Sequence, residues 1–182
     1  MSRVIPGVLI AAMLTPVCAV AQGWHVYLPG GQIRFEGMLL AEACNVDIGD
    51  RNQYVKMGQV SSNRFTGVGS DADPIPFEIH LTDCNTNVSQ RVSITFNGVS
   101  DGKNPDILSI GEGTGIATNV GVAIFDVNNR LIPINSAPQP QSWSRLYEGP
   151  VTLHYIAKYR ATGFEVSGGT ANAQAWFSLT YE

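Results

Sequence analysis

The chain has 182 residues, a formal net charge of −4, only 14% charged residues and 19 glycines. An acidic balance argues against nucleic acid, whose phosphates need a basic face, and gives no attraction to an anionic membrane surface. The length suits one domain with a sizeable core, and low charge, many glycines and short runs of Val, Ile, Thr and Phe point to an all-β domain with many turns.

Residues 1–21 read as a secretory signal. Arg3 supplies the positive start, residues 4–20 are mostly apolar, and Ala19-Val20-Ala21 is an A-x-A cleavage site that would leave Gln22 first. The apolar run is short and broken by Pro6 and Pro16, which weighs against a membrane span. Cys18 follows Val17 rather than a small residue, which weighs against lipid attachment, and it leaves with the signal. Without Arg3 the formal charge moves from −4 to −5. Two cysteines survive processing, Cys44 and Cys84, and an even count in an exported chain reads as one disulfide. A metal pair is the poorer account, because no C-x-x-C occurs and the cysteines stand forty residues apart.

Residues 30–40 alternate. Gly31, Ile33, Phe35, Gly37 and Leu39 share one face of a strand, while Gln32, Arg34 and Glu36 take the other. Taken alone, this stretch is either a strand made for the core of another molecule or the first strand of its own sandwich. Strands are then expected at 43–48, which carries Cys44, and at 54–60, with a loop over 66–74. Residues 75–84 alternate Ile75, Phe77, Ile79 and Leu81 against Pro76, Glu78, His80 and Thr82, a half-buried strand whose proline marks an edge or bulge at its start. Residues 91–98 alternate again through Val92, Ile94 and Phe96; 107–110 is at most a short strand; 120–127 is a buried strand. Asn128-Asn129 turns into a hairpin partner at 131–134, and 136–144 is a proline-containing exposed loop. Strands at 151–160 and 171–182 flank a glycine-rich turn at 162–170. No segment sustains a capped helical period, so a Greek-key sandwich is the expected architecture.

The chain carries little that resembles an active site. His25, His80 and His154 lie in three separate strand-like segments and read as solvated strand histidines. No Gly-x-Ser-x-Gly elbow and no H-E-x-x-H occurs, and residues 111–115 form a glycine loop without the lysine and helix a phosphate site needs. Asp71, Asp73, Asp101 and Asp106 fall in predicted loops without the spacing of a calcium loop. Asn87-Val88-Ser89 is a sequon to which no role is given. No enzyme activity, metal, cofactor or small-molecule substrate is therefore expected, and such a domain acts by binding or by assembling.

The two ends of the chain favour assembly. In the last strand Ala173, Ala175, Phe177, Leu179 and Tyr181 share a face, and an immunoglobulin-like sandwich needs one more strand beyond it to close its sheet. A missing strand at one end and a spare strand at the other would make a head-to-tail fibre. These residues carry a resemblance to the chaperone–usher pilins of the type 1 fimbrial family. It runs through the mature chain: the extension with Gly37, the Cys44 and Cys84 spacing, residues 117–122 (Ala-Thr-Asn-Val-Gly-Val), residues 159–163 (Tyr-Arg-Ala-Thr-Gly), Gly169 fourteenth from the end, and Tyr181. Residues 57–65 and 171–181 are most similar to the minor fimbrin-like subunits.

The resemblance implies an incomplete immunoglobulin-like sandwich over 41–182 preceded by a donor-strand extension over 22–40. It implies a periplasmic chaperone, an outer-membrane usher and neighbouring pilin subunits as partners, with export through the periplasm to a cell-surface fimbrium that contributes to adhesion. Mapped here, Ile33, Phe35 and Leu39 would plug a neighbour's groove, with Gly31 on the same face and Gly37 where no side chain fits. Gly169, Ala173, Ala175, Phe177, Leu179 and Tyr181 would line or border the chain's own groove, and Glu182 would meet basic chaperone residues. The alternative is a self-standing secreted sandwich that binds carbohydrate or protein. A tip adhesin would carry an added lectin domain and no donor extension, which does not match. Patterning leaves open whether the subunit belongs to the rod, an adaptor or a terminus.

Overall fold

The structure, a computed structural model, describes residues 30–37 and 43–182. The expectations for the signal, for the rest of the extension and for Leu39 lie outside the described residues. Residues 30–37 carry no hydrogen-bonded secondary structure and are exposed, and Arg34 Nε meets Glu36 Oε1 at 2.6 Å, as two residues on one side of an extended stretch can.

Residues 43–182 fold as two antiparallel sheets. The strands are β1 Asn45–Val46, β2 Asp71–Cys84, β3 Arg91–Gly98, β4 Val120–Asp126, β5 Ser144–Arg145, β6 Gly149–Ala161 and β7 Ala175–Tyr181. One sheet has the order β1-β2-β6-β4 and the other β5-β3-β7. Among the described residues the helical segments are three 3-10 turns, Ile48–Asn52, Ser62–Arg64 and Pro140–Ser142. The period-two residues meet between the sheets: Ile79 and Leu81 from β2, Val92, Ile94 and Phe96 from β3, and Leu153, Tyr155 and Ala157 from β6 are all buried. Phe77, Phe96 and Tyr155 form an aromatic trio with ring centroids 5.2–6.2 Å apart. Cys44 and Cys84 form the disulfide, both nearly fully buried.

Several expectations need correction. Residues 54–60 form no strand, because Gly58 sits at φ +72° and interrupts any ladder; Met57 and Val60 nevertheless pack on the core. The expected strand at 43–48 shrinks to two residues, since Asp47 turns the chain by accepting from the Gly49 amide at 2.8 Å. β2 begins four residues before Ile75. The bulge foreseen at Pro76 falls between Ala72 and Ile75, where Asp73 takes φ +44°. The region read as the exposed loop 136–144 includes a 3-10 turn and reaches β5, and the final strand starts at Ala175 rather than at 171.

Asp71 is not a loop carboxylate. It pairs across the sheet with Arg160, taking Nε at 2.6 Å and Nη2 at 2.9 Å. Arg160 and Lys158 both lie over the Phe125 ring, at 5.0 and 4.3 Å from its centroid. Asp71→Ala would leave two cations on one ring without their carboxylate. It is expected to cost about 2–3 kcal/mol in denaturant unfolding, whereas Asp101→Ala, which removes only a turn cap on the Lys103 and Asn104 amides, should cost under about 1 kcal/mol.

Candidate functional site

β3 and β7 lie side by side with Val92 opposite Tyr181, Ile94 opposite Leu179, Phe96 opposite Phe177 and Gly98 opposite Ala175. Each pair shares a face, so the two strands should be equally buried if the sandwich were closed. They are not. Val92, Ile94 and Phe96 are at most 3% exposed, while Ala175, Phe177, Leu179 and Tyr181 are all only half-buried. Among the described residues β7 has one strand neighbour, β3. Across the sandwich, Ile75 and Phe77 on β2 are half-buried too, although Ile79 and Leu81 further along the same face are buried. The core therefore thins along β7, whose inner face is only half-buried.

The predicted groove residues divide accordingly. Ala175, Phe177, Leu179 and Tyr181 occupy the inner face of β7, and the Tyr181 hydroxyl donates to the Cys44 carbonyl at 3.2 Å. Ala173 is exposed and lies before the strand, so it does not line its inner face. Glu182 continues the ladder: its main-chain oxygen accepts from the Gln90 and Arg91 amides at 3.0 Å, and its side chain lies 3.7 Å from Arg91.

Gly169 borders a cavity of about 480 Å³ at the end of the sandwich where β7 begins, lined by Val60, Phe65, Tyr159, Val166 and Ala171 among others. The resemblance motifs converge here. The Tyr159 hydroxyl donates to the Ala171 carbonyl at 2.9 Å, and Thr118 and Ser167 share a 2.8 Å hydroxyl contact. Asn119 adopts φ +60° and accepts from the Thr162 amide through its carbonyl, while its side chain contacts Lys103 and the Glu165 carbonyl. A Cβ at Gly169 would sit 2.4 Å from the Ala117 nitrogen and 2.5 Å from the Ile116 carbonyl carbon. Gly169→Ala must therefore push the 115–117 and 169–170 backbones apart, straining the Ala117–Thr170 and Thr170–Gly115 hydrogen bonds, both 2.9 Å. A loss of about 2–3 kcal/mol is expected in thermal unfolding. Gly168→Ala, with open space at its Cβ, should change little.

Of the predicted donor residues, Gly31, Ile33, Phe35 and Gly37 are described and exposed, Ile33 at 77% and Phe35 at 91%. Sequence reading missed Met57, Val60, Phe65 and Phe77, half-buried residues packed against the thinned core. Their alternation or apolarity was visible, but which edge they would serve depends on pairings far away in sequence.

A β-sandwich whose last strand has one neighbour among the described residues and a half-buried inner face has the character of an incomplete immunoglobulin-like sandwich of the pilin type. A family model described as "Fimbrial protein" matches residues 33–182, and the chain belongs to that family. It is 36% identical over 152 residues to long polar fimbria protein A of Salmonella typhimurium, covering 84% of each chain. It is 33% identical over 171 residues to the putative fimbrin-like protein FimI of Salmonella typhi, covering 93% of each. The crystal structure of the antigen and type I fimbria protein BPSL1626 of Burkholderia pseudomallei is similar with a TM-score of 0.58 and 34% identity, covering 76% of this chain and 88% of that one. The chain is thus a structural subunit of a fimbria, a filament at the cell surface, and its partners are other fimbrial subunits.

Proposed function

We propose that this chain is a minor subunit assembled by donor-strand exchange, with residues 22–40 as the donor, 41–182 as the acceptor domain, and the half-buried inner face of β7 as the acceptor site. The observation that carries this reading is the contrast between the buried inner face of β3 and the half-buried face of β7 in register with it. Every strand pairing in both sheets is antiparallel. A neighbour's extension added antiparallel to β7 would bring Ile33 towards Leu179 and Tyr181, Phe35 towards Phe177, and Leu39 towards the cavity beside Gly169. Gly37 would pass near Ala175. Before exchange, a periplasmic chaperone would cover the same site, with a basic chaperone side chain competing with Arg91 for Glu182, and an outer-membrane usher would exchange the two strands after signal cleavage at residue 21. The minor-subunit role rests on the resemblance through residues 57–65 and 171–181 and on the similarity to the fimbrin-like relative. Adhesion is a property of the filament it joins.

Periplasmic purification with and without the cognate chaperone tests the reading. Recovery only as a one-to-one chaperone complex is expected. Equal recovery as a soluble, heat-stable monomer without the chaperone would instead make it a self-standing sandwich.

A further inference from the structure

After β1 the chain makes the 3-10 turn Ile48–Asn52 and continues into the irregular segment whose Gly58, Gln59 and Val60 line the cavity at the head of β7. That turn is fastened to β2 by Gln53 Nε2, which donates to the Glu78 carbonyl at 2.9 Å, and by several bonds at His80. The Asp47 amide donates to the His80 carbonyl at 2.9 Å. Asp50 Oδ2 accepts from the His80 amide at 2.5 Å and lies 2.8 Å from its ring Nδ1. Asp50 is only 8% exposed, and among the described residues both side-chain contacts are with His80. The other ring nitrogen, Nε2, faces Glu78 Oε2 at 3.4 Å, and Glu78 Oε1 lies 3.0 Å from His154 Nδ1 on β6. His80 and His154, expected as solvated strand histidines, are on the outer face but are held by carboxylates.

His154 on β6 thus shares the Glu78 carboxylate with His80. Asp47 adds a third carboxylate from the turn, Arg51 on the same turn is directed to the Val46 carbonyl at 3.3 Å, and Thr152 opposite His80 on β6 is uncharged. An imidazole between two carboxylates is satisfied on both sides only when protonated; the neutral ring must turn a lone pair towards one of them. The hydrogen bond to Asp50 raises the His80 pKa above the ordinary histidine value; burial opposes it, and the charges of Asp50, Glu78 and Asp47 add to the rise.

We propose that His80 is a pH-sensitive clasp that, when protonated, ties the Ile48–Asn52 turn to β2 and thereby holds the wall of the acceptor site that follows it. This regulation rests on the donor-strand reading above. Because the folded-state value is raised, the contribution of the ring's charge to the clasp is fully present below the ordinary histidine pKa of about 6.5 and is lost as pH rises through the raised value, while the main-chain bonds at His80 remain. Mild acid tightens the wall; mild alkali loosens it.

The test uses the exported chain loaded with a synthetic peptide of residues 22–40, followed between pH 5.5 and 8.5. In the wild type the thermal midpoint should fall with rising pH and peptide release should speed up severalfold. Both slopes should flatten in His80→Gln, and in Glu78→Gln, which keeps the Asp50 contact and removes the carboxylate that His80 shares with His154, the fall should move to lower pH. A wild type without pH dependence, or a His80→Gln variant that keeps it, overturns the clasp. Midpoints that respond to pH while peptide release does not would overturn its control of the acceptor site. If no peptide binds at any pH, the donor-strand reading fails, and with it the regulation, whereas the fastening of the turn is still decided by the midpoints and by the ring titration of His80 followed by NMR.

Discussion

Cells producing the Ile33→Ser, Phe35→Ser double variant are expected to export the subunit at normal levels and yet leave it out of their fimbriae. Both side chains are largely exposed, so the substitutions take almost nothing from the subunit's own fold. In the donor role each would move from water into a neighbour's groove, which is worth about 1.5–3 kcal/mol per side chain. Losing both removes about 3–6 kcal/mol, or roughly two to four orders of magnitude in the stability of one joint. The hydrogen bonds of the added strand would survive, so the variant separates side-chain plugging from backbone pairing. Quantitative immunoblots of sheared fimbriae and of periplasm, taken side by side, measure it. Normal incorporation would show that these residues plug nothing.

The second large effect is expected at the disulfide. β1 pairs with β2 over two residues only, Asn45 with Thr82 and Val46 with Leu81. The Cys44–Cys84 bond lies beside that short ladder, the Asn85 amide donates to the Ala43 carbonyl at 2.7 Å, and the Tyr181 hydroxyl reaches the Cys44 carbonyl. One cross-link thus gathers β1, the end of β2 and the end of β7. It spans a separation of 40 residues, for which loop-closure entropy gives about 4 kcal/mol. Cys44→Ala with Cys84→Ala is expected to lower the thermal midpoint by on the order of 10 °C and to reduce periplasmic recovery. The loss should be larger than that of Tyr181→Phe, which removes the hydrogen bond to the Cys44 carbonyl, worth about 1 kcal/mol. A midpoint shift below about 2 °C for the double variant would mean that packing alone holds β1 in place.

What could be read from the residues was whatever depends on near neighbours in the chain. Alternation through Val92, Ile94 and Phe96, and through Phe177, Leu179 and Tyr181, is local, and both strands form where it places them. The cysteine pair was legible from compartment and count. The failures occur where a left-handed residue or a distant partner decides. Gly58 ends what reads as a strand at 54–60, and Asp73, also left-handed, lets β2 start earlier through a bulge. Ala173 matches the alternation of the last strand but precedes the first ladder pair, Gly98 with Ala175. Asp50 and His80, thirty residues apart, gave no signal of their contact. The acceptor groove itself was inferred from a missing strand, but only the unequal burial of paired residues on β3 and β7 gives it physical form.

The most direct test of the acceptor site is the thermal midpoint and mass of the exported chain before and after addition of a synthetic peptide of residues 22–40. Uptake of one peptide per chain, with the midpoint rising by tens of degrees, is the predicted result, because completing a sheet and burying its apolar plugs is comparable to the stability of a small domain. A cooperative, heat-stable chain that takes up no peptide would mean that β7 needs no neighbour, and would contradict it.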